Sequence, residues 1–361
     1  MTSVGIIGLG RSGWELHAEP LHRMSGYGVT AVCDQSGKRL ARAADELSAR
    51  AYDDAQDLIE DPDVDLVVVA VPGNLHASLT IAALNGGKHV VVEKPMAGTI
   101  EEADAMLAAA ERNKRLLVAF HNRHWDEDYR MLKALVRRGE LGELLNMDSR
   151  IMSFGAEWAS YGVPEFNPTW RVQAAYGGGF LADWGPHMVE QCLDLIGEWP
   201  TTVTCQLRSH MWSTEVDDYF NVRLSFGSGL LVTLEGSNNA RIPPPRWFAV
   251  GREGTLISGS GWSGWTDMRL MRGTEENEAQ IRPDEILPRE VSAEANIGDD
   301  LSAFFYADLA HALQEGRPPT VAAERARDVV AILEAARRSN DAGHSVEPDG
   351  PKSIRARAGS E

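Results

Sequence analysis

Residue types able to do chemistry gather at three places in this 361-residue chain. The first is "GGGFLADWGPHMVEQCLDL" (177–195), where Asp183 and His187 stand four positions apart. On a helical turn both face one way. Met188, Cys192 and Leu195 would give that helix a buried side. An imidazole titrates near neutrality, so His187 suits proton transfer. The second place is Glu93-Lys94-Pro95, directly after the apolar residues Val90, Val91 and Val92. Strand ends tolerate charges and prolines, so this tripeptide alone specifies little. The third is Gly8, Gly10 and Gly13, which spell G-x-G-x-x-G.

That glycine pattern gains a mechanism from its context, because it follows an apolar strand and opens a helix. The glycines let backbone approach a pyrophosphate, and the helix N-terminus offers N–H donors to it. Arg11 and Ser12 lie within the same loop. Asp34 ends the second strand, 21 residues after Gly13. A carboxylate there bonds the adenosine ribose hydroxyls of NAD. Asp34 argues against a 2′-phosphate, while Lys38 and Arg39 leave NADP open. Pro20 falls inside the first helix and predicts a bend or loosening. "VPGNLHA" (71–77) puts Pro72 and Asn74 in a loop suited to the nicotinamide end. His76 is placed either to contact substrate or ribose, or to cap the next helix.

The elements that must position these residues follow from periodicity. Strands are expected at 3–8, 28–33, 65–71, 89–92 and 115–120, with helices at 38–49, 54–60, 75–85 and 101–113. Strands apolar on both faces that alternate with helices mean a parallel sheet covered on both sides. Thr99 is expected to cap the helix of 101–113. After about residue 122 the pattern changes. A helix at 126–138 precedes period-2 segments, including a hairpin at 217–236 and strands at 201–211, 246–251 and 254–258. Helices at 301–314 and 321–338 follow. The expected fold class is an α/β Rossmann domain, 1–122, and an α+β domain, 123–345, before a loose polar tail, 346–361. The second sheet is expected to be mostly antiparallel and open-faced. An apolar open face on the hairpin would make an oligomer contact, giving a homodimer or homotetramer.

Composition narrows the partners. Hydrophobic content of 43% and charged content of 24% suit a soluble globular protein. A net charge of −18 repels nucleic acid and anionic membranes. The longest apolar run, 66–71, is too short to span a bilayer, and the N-terminal stretch reads as no signal peptide. The three cysteines, Cys33, Cys192 and Cys205, form neither a disulfide framework nor a metal pattern, which points to the cytoplasm. His121 and His124 in "HNRH" have ligand-like spacing but lack an evident third ligand, so no metal is expected.

Taken together, "GIIGLGRSG", "CD", "VVVEKPMAG" and "GGGFLADWGPH" resemble the Gfo/Idh/MocA family, over roughly residues 3–340. The resemblance implies a Rossmann domain followed by an open-faced, mostly antiparallel sheet domain. It also implies that Lys94, Asp183 and His187 are catalytic. Parallel strands present ligands at their carboxyl ends, so residues 90–92 would deliver Lys94 to that rim. Proline restricts the preceding residue to extended backbone, which aims the ammonium. Lys94 would then favour alkoxide character in a reacting hydroxyl, and His187 would take its proton. Asp183 would orient His187 or bond a neighbouring hydroxyl, and Glu93 would anchor the loop or touch the cofactor.

The expected substrate is a sugar, a cyclitol or a derivative of one. The long stretch 154–176 carries Trp158, Tyr161, Trp170 and Arg171, and Arg123 lies where the first domain ends. Flat aromatic faces beside hydrogen-bond donors suit polyols. The expected activity is NAD(P)-dependent hydride transfer at a secondary alcohol or ketone. Two alternatives stand beside it: a glycoside hydrolase working by transient oxidation with NAD, and a cofactor-binding regulatory protein. A non-catalytic relative need not keep Lys94, Asp183 and His187 together.

Overall fold

The structure is a computed structural model that describes residues 1–155, 169–273, 277–287 and 301–353. Trp158 and Tyr161 lie outside the described residues. Contacts divide the chain into two compact units. The first is Met1–Asn122 with the described parts of 157–178 and 294–330. The second takes the described parts of 123–156, 179–293 and 331–361. Two stretches beyond residue 122 thus belong with the N-terminal sheet.

In the first unit six strands run parallel: β1 (Thr2–Ile7), β2 (Tyr27–Cys33), β3 (Arg50–Tyr52), β4 (Leu66–Val69), β5 (His89–Val92) and β6 (Leu117–Ala119). Their order is β3-β2-β1-β4-β5-β6, so the connection reverses between β1 and β4. Cofactors bind at the carboxyl ends of strands at such a switch point. Val67, Val68, Val90 and Val91 are buried, as strands covered on both faces require. The helices are α1 (Glu19–Arg23), α2 (Gly37–Leu47), α3 (Ala55–Glu60), α4 (His76–Asn85) and α5 (Ile100–Asn113). Thr99 caps α5, its hydroxyl accepting the Glu102 N–H at 3.2 Å. The expected disturbance near Pro20 takes a definite form. Ser12–Ala18 winds as a wide π-helix, and Pro20 falls in the first turn of α1. The two run on without a break, so Pro20 removes one hydrogen bond from a continuous helical segment just where the wide turns end. β3 was not expected from the sequence; three residues of mixed polarity carry almost no periodicity.

The second unit opens with α6 (Glu127–Arg137) and β7 (Leu144–Met152), and α7 (Phe180–Ile196) follows. Next come β8 (Pro200–Arg208), β9 (Tyr219–Phe226), β10 (Leu231–Ser237), β11 (Trp247–Gly251), β12 (Gly254–Ile257), β13 (Met268–Arg272) and β14 (Ala279–Ile281). A short α8 (Pro283–Ile286) completes that run, with α9 (Leu301–Glu315) and α10 (Ala323–Ala342) later in the chain. The eight strands are ordered β14-β13-β12-β11-β7-β10-β9-β8. The pairing is antiparallel except between β7 and β10, which run parallel.

The β9–β10 hairpin buries Phe220, Val222 and Leu224 with Val232 and Leu234. Its other face corrects an expectation. It carries Tyr219, Asn221, Arg223, Ser225, Thr233 and Glu235, with Leu231 as the exposed aliphatic residue, and the Tyr219 hydroxyl donates to Glu235 at 2.8 Å. Beside it on β7, Arg150 pairs with Asp148 at 2.6 Å and with Glu235 at 3.6 Å. The outward face of the hairpin is mainly polar and ion-paired, so apolar exposure on the hairpin itself gives no reason for association, whereas Phe248 and Val250 of β11 lie outward beside Asp148 and Asn146. The tail also differs from expectation at its start, where Val346 bridges to Val203 with main-chain bonds of 2.8 and 2.9 Å.

Candidate active site

The glycine loop meets the requirements of a pyrophosphate cradle. Gly8 has φ +95°, and a Cβ there would lie 2.3 Å from the Ala70 carbonyl oxygen. At Gly13 a Cβ would sit 1.8 Å from the Gly8 carbonyl oxygen. The loop and the helix it opens are therefore packed as closely as glycine alone allows. The Trp14 N–H donates to the Gly10 carbonyl at 2.9 Å, starting the helix, and Arg11 pairs with Glu15 at 3.0 Å. Ser12 is the first residue of the wide turns. Asp34 is buried at the end of β2, where its carboxylate accepts the Leu9 N–H at 2.7 Å and the Ser36 N–H at 2.8 Å. The Arg39 guanidinium lies 3.2 Å from it. The residues present thus fit a dinucleotide.

Beyond β4, Pro72 precedes a 3₁₀ turn, Gly73–Leu75, in which Asn74 is exposed. His76 begins α4 but forms no side-chain cap. Instead it braces two loops, one ring nitrogen lying 2.8 Å from the Pro95 carbonyl oxygen and the other 2.9 Å from that of Val71. Burial holds His76 below its ordinary pKa, against the pull of those two carbonyls.

Lys94 is the second residue past β5 and is half-buried, and its peptide bond to Pro95 is cis. Glu93, just before it, is buried. One Glu93 oxygen accepts the Lys94 main-chain N–H at 3.1 Å, and the other lies 3.3 Å from His17 Nε2. Burial alone would raise the Glu93 carboxyl, but the His17 contact, followed by the charge of Lys94, outweighs it and holds it below the usual range. Trp170 and Arg171 also belong to the first unit, in a 3₁₀ turn, with the guanidinium 4.4 Å over the indole ring.

In the second unit, Asp183 and His187 lie on α7, where the helical turn expected from their spacing is present. Asp183 is half-buried, and His187 is 6% exposed. The helix is pinned at its start by Asp217, whose main-chain carbonyl accepts the Phe180 N–H at 2.9 Å and whose carboxylate accepts the Leu181 N–H at 2.7 Å. Burial pushes the Asp217 carboxyl up to about 6, against that hydrogen bond and the nearby Arg337. One turn beyond His187 the helix is pinned again. Glu190 lies 3.0 Å from His124, and Gln191 donates to the Arg123 carbonyl at 2.6 Å. The two histidines of "HNRH" are thus put to different use: His124 faces Glu190, and His121 is buried in the first unit. Among the described residues, no group of three or more His, Cys, Asp or Glu side chains is placed to hold a metal ion.

Sequence reasoning missed the aromatic residues beside His187. Trp184 lies edge-on to it at 5.7 Å between ring centres, and Trp262 stacks at 5.3 Å from Trp184 and 4.3 Å from Trp265. Trp262 is 52% exposed. The Arg123 guanidinium lies 5.0 Å from the Trp184 ring and 5.2 Å from the Trp262 ring, and it pairs with Asp126 at 3.1 Å. Arg123 was expected at the site; its aromatic neighbours come from chain positions too distant for spacing to connect.

Known proteins place the chain. A model described as "Oxidoreductase family, NAD-binding Rossmann fold" matches residues 2–121, and one for the GFO/IDH/MocA C-terminal domain matches residues 129–257. The chain is 30% identical over 349 residues to scyllo-inositol 2-dehydrogenase (NADP(+)) IolW of Bacillus subtilis, covering 93% of each chain. It is 34% identical over 165 residues to an inositol 2-dehydrogenase of Salmonella typhimurium, covering 45% of this chain and 47% of that one. A solved NAD-binding protein from Listeria innocua is 26% identical, with a TM-score of 0.81 and coverage of 97% of this chain and 98% of that one. With a family model matched to each half and a relative aligned along nearly its whole length, the chain belongs to the Gfo/Idh/MocA family of oxidoreductases, and its Rossmann domain is an NAD(P)-binding one.

Proposed function

We propose that the protein oxidises a secondary alcohol of a cyclitol or sugar, or reduces the corresponding ketone, with NAD(P) as hydride carrier. The observation that carries this reading is Lys94, half-buried at the carboxyl rim of β5, two strands from the glycine cradle of β1. The named activities of the inositol dehydrogenase relatives support the substrate class. When bound, the nicotinamide accepts or donates the hydride. Gly8, Gly10, Arg11, Ser12, Gly13 and Asp34 hold the adenosine and pyrophosphate end, and the loop of Pro72 and Asn74 borders the other. Asp34 favours NAD, while Arg39, 3.2 Å from its carboxylate, is the cation that would pair with a 2′-phosphate if NADP were bound.

In this reading His187 takes the hydroxyl proton and Lys94 stabilises the developing alkoxide. Asp183 orients the imidazole or bonds a neighbouring hydroxyl. Arg123 and the tryptophans beside it supply donors and flat faces to a polyol ring, and Trp170 and Arg171 do so from the first unit. We place the protein in the cytoplasm, as a homodimer or homotetramer through the second sheet. The outward side of that sheet carries both the Arg150 ion pairs and half-buried apolar side chains, among them Phe248, Val250 and Ile257.

The test is a screen of cyclitols and aldoses with NAD and with NADP, read at the reduced-nicotinamide absorbance. Net reduced cofactor with a cyclitol or sugar supports the reading. Sugar release from a glycoside without net reduced cofactor would replace it with transient oxidation.

A further inference from the structure

Glu93 connects Lys94 to residues that the catalytic reading leaves unused. His17, on the helix opened by the glycine loop, is fully buried. Its Nε2 lies 3.3 Å from Glu93, and its Nδ1 lies 2.6 Å from the Tyr306 hydroxyl. Tyr306 is on α9, 289 positions away, and is also fully buried. The Tyr27 hydroxyl in turn donates to the Tyr306 carbonyl at 2.8 Å. Aromatic rings box the chain in: Phe120 lies 4.3 Å from the His17 ring and 4.7 Å from Phe305. All of these residues belong to the first unit.

One distribution of protons suits such a row. The Tyr306 O–H donates to Nδ1, and Nε2–H donates to the Glu93 carboxylate, which also accepts the Lys94 N–H. The other neutral tautomer would set an Nε2 lone pair against a carboxylate lone pair. An imidazolium would leave the tyrosine proton to find a second acceptor in an apolar box. Unpaired polar groups in such surroundings are costly.

We propose that Tyr306, His17 and Glu93 form a directional hydrogen-bond relay that positions Lys94. His17 and Tyr306 are then positioning residues that act through Glu93 and never touch substrate. The proposal rests on the reading of Lys94 as the group at the reacting oxygen.

Two measurements test it. With a substrate from the screen, His17→Gln and Glu93→Gln should each lower kcat, by up to about 100-fold if Lys94 is displaced by an ångström. For His17→Gln, cofactor Kd should stay near that of the unaltered protein. The double variant should be no slower than the slower single one, because both act through one path. Losses that multiply would overturn the relay. The second measurement needs no turnover, so it separates failure of the relay from failure of the proposed activity, and it stands even where His17→Gln does not fold. In imidazole ¹⁵N spectra of the unaltered protein, the histidine resonance moved by Tyr306→Phe should show its proton on Nε2. A proton on Nδ1 would overturn the proposal.

Discussion

Lys94→Ala should cut kcat by roughly 10²–10³-fold, the loss expected when one donor to a developing oxyanion is removed. Cofactor affinity, measured by quenching of protein fluorescence, should change far less, since the glycine cradle and Asp34 hold the other end. Lys94→Arg should fail as well, because a planar fork does not replace a compact ammonium. Near-normal turnover in folded Lys94→Ala would reduce Glu93-Lys94-Pro95 to the end of a strand. Asp34→Ala should weaken NAD more than NADP, because it removes the ribose acceptor and releases Arg39 from its 3.2 Å pairing. Equal loss for both cofactors in a titration would count against this. At this scale the sequence was informative where a motif carries its own geometry. It was silent on His17 and Tyr306, whose meaning lies in a contact across 289 positions. His76 shows the converse: its position was plain, but its two carbonyl partners come from separate loops.

The element that carries Asp183 and His187 is α7, pinned by Asp217 at its start and by Glu190 and Gln191 beyond His187. The Asp217 carboxyl is raised to about 6 by burial. A carboxyl raised on folding binds its proton more tightly in the native state, so its contribution to stability is full below its ordinary range. That contribution is lost as pH rises through about 6. Asp217→Asn keeps an acceptor for the Leu181 N–H but cannot ionise. Its unfolding free energy should therefore fall less than that of the unaltered protein between about pH 4 and 6, followed by denaturant melts. Identical slopes would mean that Asp217 does not titrate there. Below α7, Arg246 is fully buried, 2.7 Å from Asp128, which also accepts the Trp247 indole N–H at 2.7 Å. Asp128→Ala would remove the nearest carboxylate from that guanidinium, leaving it Gln191 at 2.9 Å and Asp126 at 3.7 Å, and would take the acceptor from the Trp247 indole; it should cost about 3–5 kcal/mol, read from the same melts. Periodicity revealed α7 and the β9–β10 hairpin because their buried positions are apolar. It missed β7, where the fully buried Ser149 breaks the inward row of Met147 and Ile151. β13 and β14 escaped because they are short and carry exposed arginine and glutamine.

At the scale of the molecule, two sheets of different logic were legible because buried parallel strands and half-exposed antiparallel ones leave different patterns. The return of α9 to the first unit was not, since its aromatic contacts with Tyr27 and Phe120 leave no local signal. The ion pairs on the outward side of β7 and β10 predict that an oligomer formed through that part of the sheet weakens with salt. Sedimentation at low and at high ionic strength checks this; an assembly indifferent to salt would point to another surface. The central claim is hydride transfer from a carbinol carbon, and isotope transfer tests it most directly. The alcohol selected by the screen, deuterated at every carbinol carbon, should place one deuterium on the nicotinamide of the reduced cofactor and leave a ketone, both seen by mass spectrometry. Lys94→Ala should give the same products far more slowly. Reduced cofactor without deuterium, or cleavage of a glycoside with no reduced cofactor, would contradict the account.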